Sequence, residues 1–292
     1  MTEMTGGKNF NSRLKDTKGA PFSGRLLPNL APGADGASLP LGSEGKPANV
    51  IFIKERYFTM LKKDLILRNP LRLIRDETGD LLSTGEFGAV LARAGVGKTA
   101  LLVQLSLGSL LQEKNVLHIS LEDPVDKVTL WYKEVFNHIA DQYDVGPINQ
   151  LWDSLLPHRF IMTFRVEGFS VPKLEERLTD LTEQKIFSPQ MLIVDGLPFD
   201  ETTRESLSEF KALAQKHGVH IWFTVRTHRH EEPGPDGIPM QLSQVQDLFE
   251  VAIQLVPEGK DIFVKTLKGG KPDAEQPDLQ LDPSTMLIKD SN

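Results

Sequence analysis

The stretch from Ala89 to Leu111, AVLARAGVGKTALLVQLSLGSLL, decides how the rest of the chain is read. A short apolar run, Ala89-Val90-Leu91-Ala92, stops at Arg93-Ala94-Gly95-Val96-Gly97. Lys98-Thr99 then opens a segment with leucines at 101, 102, 105, 107, 110 and 111. That leucine-rich segment is too long for a strand and suits a buried helix, so the order is strand, tight loop, helix. Glycines let such a loop curl with its N–H groups pointing inward. The start of the following helix adds partial positive charge, so the loop is suited to an anion.

The spacing matches G-x-x-x-x-G-K-[ST] except that Ala92 stands at the first glycine, the mildest replacement available. In such a loop Arg93, Ala94, Gly95, Val96, Gly97, Lys98, Thr99 and Ala100 surround the phosphates of a nucleotide. Lys98 reaches the β- and γ-phosphates and the Thr99 hydroxyl ligates Mg²⁺. A nucleotide and Mg²⁺ are therefore the expected ligands.

Working outward, residues 1–48 are rich in Gly, Pro, Ser, Asn and Ala and carry few apolar clusters, which predicts a disordered tail. Asn49–Ile53 reads as a strand. Lys54–Leu67 follows as a helix with Tyr57, Phe58, Leu61 and Leu65 on one face, and together they predict an N-terminal arm over 49–75. The nucleotide-binding domain is expected over 76–292. Beyond the loop, Asn115–Leu121 predicts a strand ending in Glu122-Asp123, and Pro124–Ala140 a helix with Asp123 as its N-cap. On that helix Trp131 is read as core packing, with stacking on a base as the other reading. Residues 141–158 read as a looser connection. Strands at Arg159–Phe164, Met191–Gly196 and Val219–Val225 alternate with helices from Ser170 to about Gln184 and from Thr203 to His217, the pattern of a parallel sheet covered on both faces. Past Arg226 come a polar loop and strand-like runs at 250–256, 261–267 and 279–288, expected to extend the sheet in antiparallel fashion.

Two carboxylates complete the expected chemistry. Asp195 ends an apolar strand, where it would hold Mg²⁺ through water. Glu122 ends another, and both should face one crevice at the carboxyl edge of the sheet, where Glu122 would orient an attacking water. His228, His230, Glu231 and Glu232 lie in a flexible polar stretch, read as a solvated loop rather than a metal cluster.

The combination of GVGKT at 95–99, ISLED at 119–123 and LIVDG at 192–196 with a strand-rich C-terminus resembles the RecA superfamily of P-loop ATPases. Within it the similarity points to the branch of KaiC-like ATPases and hexameric replicative helicases of the plasmid RepA type, and it covers about residues 80–290. The resemblance implies a RecA-like α/β fold with a mainly parallel central sheet, antiparallel C-terminal strands and flanking helices. It also implies ATP hydrolysis with Glu122 and Lys98 as catalytic residues, Thr99 and Asp195 at the metal, and sites shared between subunits of a hexamer or filament. Thr224, Arg226 and His228 fall where the family carries a polar sensor. Lys265 and Lys268 of VKTLKGG fall where it carries residues that reach a neighbour's nucleotide, and a solvated hairpin explains those lysines equally well. No Lys-x-Arg pair is present there, and Arg226 is the substitute candidate. The helicase side of the resemblance implies single-stranded DNA as partner. The KaiC-like side implies a regulatory ATPase with a protein partner, and a nucleotide-dependent scaffold with negligible hydrolysis is a third alternative.

Composition narrows the setting. The 33 Lys and Arg against 40 Asp and Glu leave a net charge of -7, which argues against non-specific nucleic-acid binding over the whole surface. The absence of cysteine excludes disulfides and thiolate metal sites. No run of about 18 apolar residues occurs and the N-terminus has no apolar leader, so a cytoplasmic protein without membrane association is expected.

Overall fold

The structure is a computed structural model that describes residues 59–66, 81–143, 148–200, 202–228, 234, 237–269 and 279–290. The chain divides into two units, Met1–Ala48 and Asn49–Asn292, and every described residue belongs to the second. The expected tail and the strand at Asn49–Ile53 lie outside the described residues. Of the expected arm helix, residues 59–66 are described and are helical (α1).

A nine-stranded sheet organises the second unit. Its strands are β1 (Phe87–Ala92), β2 (Val116–Ser120), β3 (Arg159–Thr163), β4 (Met191–Asp195), β5 (His220–Arg226), β6 (Val251–Glu258), β7 (Asp261–Lys268), β8 (Leu279–Leu281) and β9 (Ile288–Asp290), in the spatial order β3-β2-β4-β5-β1-β6-β7-β8-β9. The first six in space run parallel and the last three antiparallel. The helices are α2 (Lys98–Leu111), α3 (Val125–Gln142), α4 (Ile148–Leu155), α5 (Val171–Glu183), α6 (Thr203–His217) and the short α7 (Met240–Ser243).

The two-residue period of the strands sorts their side chains between two cores. Val90 and Ala92 of β1, Met191 and Ile193 of β4, and Trp222 of β5 pack with α2, α3 and α4. Phe87, Ala89 and Leu91, Leu192 and Val194, and Ile221, Phe223 and Val225 pack with α5, α6 and α7. Burial on both faces explains why these strands are almost uniformly apolar. α2 is buried from Ala100 to Leu111 because it lies beneath α3 on one side and the sheet on the other.

Three expectations need correction. Residues 148–155 are a helix rather than loose connection. Leu151 and Leu155 are buried and Trp152 packs on Phe136 at 5.1 Å, an amphipathic turn too short to stand out by periodicity. β6 pairs parallel to β1, not antiparallel, because the chain crosses back through residues 227–250 before entering it. The antiparallel order begins only with the tight β6–β7 hairpin. Finally, α3 starts after Pro124, which is its N-cap, and no side chain caps it. Asp123 instead pairs with Lys127 at 2.8 Å, one turn along.

Candidate functional site

The direction of the connections fixes where a ligand can sit. From β1 the chain runs through α2 to β2, on one side of β1, while β5 leads to β6 on the other side. Such a reversal opens a crevice at the carboxyl ends of the strands. A cleft of about 500 Å³ lies there, bordered by the 94–100 segment, Glu122, Asp195, Thr224 and Arg226.

The loop between β1 and α2 turns on two glycines. Gly95 and Gly97 take φ of 75° and 110°, the left-handed region that side chains disfavour. A Cβ at Gly95 would meet only open space, whereas one at Gly97 would lie 2.6 Å from Leu281 of β8. The first glycine is thus needed for its backbone angle, the second also for its contact with the C-terminal strands. Among the described residues none accepts a hydrogen bond from the N–H of Gly95 or Gly97. Ala92 is tolerated in place of glycine because it is the last residue of β1, where its methyl group is buried in the core.

Lys98 folds back over the loop, its Nζ donating to the Ala92 and Arg93 carbonyls at 3.1 Å each. Burial lowers its pKa, opposed by the Asp195 and Glu122 carboxylates and assisted by Arg226. Thr99 donates its hydroxyl to Asp195 Oδ2 at 2.8 Å. Thr224 donates to Asp195 Oδ1 at 2.8 Å and accepts from the Gly196 N–H at 2.9 Å. Sheet register accounts for this convergence. Ser120 pairs with Asp195, and the β4–β5 register that pairs Val194 with Phe223 brings Asp195 alongside Thr224, so the three form one row on the α2 face.

Glu122 is exposed in the cleft and its Cγ lies 2.8 Å from where a Gly196 Cβ would be, so only glycine there lets it approach. Arg226 and His228 border the same cleft. Lys265 and Lys268 do not. The first pairs with Glu258 at 3.0 Å, and the second donates to the Gln246 carbonyl at 2.7 Å. Of the histidine and glutamate loop, only His228 is described.

Of the residues at the site, Trp131 had two readings from the sequence and Met286, Gln104 and His118 had none. Trp131 of α3 borders the cleft while packing on the core, and Met286, at φ 57° in the turn between β8 and β9, borders it too. Gln104 of α2 holds that turn, donating to the Met286 carbonyl at 2.6 Å and accepting from the Ile288 N–H at 2.9 Å. His118, fully buried on β2, stands 4.0 Å from Asp195. Burial pushes its pKa down to about 4 against the pull of Asp195. The signal for His118 was present in the sequence, since His118 and Ser120 are polar residues two apart in an otherwise apolar strand and so share a face.

The donor set suits Mg²⁺. A hydroxyl and a carboxylate, both hard oxygen ligands 2.8 Å apart at the edge of a cleft, are what this ion takes from a protein when phosphates and water complete its shell. Among the described residues no cluster of three or more His, Asp or Glu could hold a metal by itself, and no helix is long and apolar enough to cross a membrane. No protein-family model matches the chain, and no curated protein matches it.

Proposed function

We propose that the chain is a RecA-like P-loop ATPase that hydrolyses the γ-phosphate of ATP. The observation that carries the reading is the Thr99–Asp195 hydrogen bond beside a glycine loop with Lys98 folded across it. This joins the two halves of a phosphate and metal site from positions 96 residues apart. When ATP enters, the loop N–H groups and Lys98 take phosphate oxygens as acceptors, Lys98 giving up the Ala92 and Arg93 carbonyls. Mg²⁺, held by Thr99 and through water by Asp195, would supply charge neutralisation of the phosphate oxygens. Glu122 accepts a hydrogen bond from a water and aims its oxygen at the γ-phosphorus. The new P–O bond forms as the bond to the bridging oxygen breaks, ADP leaves with that electron pair, and the water's proton passes to Glu122.

Equilibrium binding of ATP with and without Mg²⁺, together with phosphate release, tests this reading. Lys98→Ala is expected to weaken Mg·ATP binding by about tenfold or more and to reduce turnover by about 10²- to 10³-fold, as loss of a charge-stabilising donor does. Unaltered binding and turnover would refute the assignment. Phosphate release measured with and without single-stranded DNA at moderate salt separates a nucleic-acid motor, whose rate rises with the strand, from a regulatory ATPase, whose rate does not. Assembly of a hexamer or filament belongs to the same reading, and sedimentation with and without Mg·ATP tests it.

Trp131 offers a direct report. It is half-buried at the cleft, while Trp222 is only 2% exposed in the core and Trp152 packs on Phe136. Tryptophan emission is expected to change on addition of ATP or ADP and to stay constant in Trp131→Phe. An equal change in that variant would remove Trp131 from the site.

A further inference from the structure

His118 is the buried polar group that the proposed chemistry leaves without a task. It has no exposed surface. Its place on β2 is one pleat behind Ser120, on the same face as Asp195. Nδ1 lies 3.2 Å from the Tyr132 hydroxyl of α3, and the rings meet edge to face at 5.6 Å between centroids. Among the described residues Nε2 has no hydrogen-bond partner, and it lies 4.0 Å from Asp195 Oδ2. A buried polar atom left without a partner is destabilising, a cost that leucine or phenylalanine at this position would not carry.

The surroundings select the tautomer. Were the hydrogen on Nδ1, the Nε2 lone pair would face a carboxylate oxygen across 4.0 Å of low-dielectric interior, an arrangement of like partial charges. With the hydrogen on Nε2, the Tyr132 hydroxyl donates to Nδ1 and the N–H dipole points at the carboxylate. The Ser106 hydroxyl of α2 gives its own hydrogen to the Leu102 carbonyl at 2.9 Å, so it does not compete for Nδ1. A line of polar groups therefore runs from Tyr132 of α3 through His118 of β2 to Asp195.

Asp195 Oδ2 lies between two groups carried by different elements. On one side is the Thr99 hydroxyl, on the first turn of α2 directly after the glycine loop. On the other is an imidazole fixed in the middle of a strand paired on both sides. We propose that His118 is a positioning residue for Asp195, its Nε2–H closing on Oδ2 by about 1 Å to a full hydrogen bond when Thr99 turns its oxygen to the cation. The inference rests on the reading of Asp195 as the cation-holding carboxylate, and gives that carboxylate an anchor that does not move with the phosphate loop. Outer hydrogen bonds of this kind set the orientation of metal-binding carboxylates.

Two substitutions separate positioning from packing. In His118→Asn the amide stands near the place of Nδ1, keeping the Tyr132 partner but ending short of Asp195. In His118→Gln the amide nitrogen reaches the place of Nε2. ADP affinity of the full chain is measured by calorimetry with and without Mg²⁺, beside thermal unfolding and the ¹⁵N tautomer spectrum of the histidines. Without Mg²⁺ all three proteins are expected to bind ADP alike. The gain in affinity on adding Mg²⁺ is expected to fall about tenfold in His118→Asn and to return in His118→Gln. The His118 spectrum of the unaltered chain should show Nε2–H, its proton moving downfield with Mg·ADP. Mg²⁺-linked binding that His118→Asn leaves intact, equal losses in both variants, or an Nδ1–H spectrum would overturn this inference alone. A complete lack of Mg²⁺-linked ADP binding in the unaltered chain would overturn the nucleotide reading, and this one with it.

Discussion

Glu122→Gln is expected to slow the proposed ATP hydrolysis by about 10²- to 10⁴-fold while changing Mg·ATP affinity only a few-fold, because it removes the proposed general base and little else. Glutamine keeps the shape of the side chain, so the close approach of the Glu122 stem to Gly196 survives. Backbone support also survives, since the Leu121 N–H donates to the Asp195 carbonyl at 2.9 Å whatever follows it. What disappears is the carboxylate facing the cleft opposite Lys98. Single-turnover phosphate release measured beside equilibrium binding distinguishes the outcomes. Lost turnover with retained binding supports Glu122 as the base. Retained turnover would move the base elsewhere, and negligible turnover in the unaltered chain would favour the scaffold alternative.

Gly88→Val is expected to destabilise the folded chain by about 3 kcal/mol, the upper range for overpacking a core, and to lower the melting temperature by roughly 6–12 °C. The cause is contact. A Cβ at Gly88 would lie 2.6–2.8 Å from three ring carbons of Trp222, its register partner on β5. Neither strand has room to part, because β1 is also paired to β6 and β5 to β4. Chemical denaturation of Gly88→Val, Trp222→Leu and the double variant gives the coupling. The double variant should be more stable than the sum of the single losses predicts, whereas strict additivity would show that the ring does not occupy the space in question.

The strand, glycine loop and helix around Lys98 were legible because their determinants are local. Gly95, Gly97, Lys98 and Thr99 occupy adjacent positions, and the apolar runs on either side show strand and helix by period alone. The ends of α5 and α6 were legible for the same reason, Ser170 preceding the first and Gly218, at φ 67°, closing the second. α4 was missed because two turns give few repeats of a period and Pro147 precedes them. Asp123 misled because an acid before Pro124 reads as a cap, while the chain used it to hold Lys127.

By itself the sequence determined the strand, loop and helix around Lys98, the alternation that makes a parallel sheet, and the place of Asp195 at the end of one strand and of Glu122 just past another. Only the tertiary structure decided how these meet. The β2–β4–β5 register sets Ser120, Asp195 and Thr224 in one row. The crossover at 227–250 makes β6 parallel. The C-terminal strands bring Leu281 and Met286 to the back and mouth of the loop, and His118 comes to lie behind Asp195. The physical reason is that torsional preference and hydrophobic period act over a few residues and are written in neighbouring letters. Strand order and register are chosen instead by the joint burial of side chains far apart in the chain, which no single segment encodes.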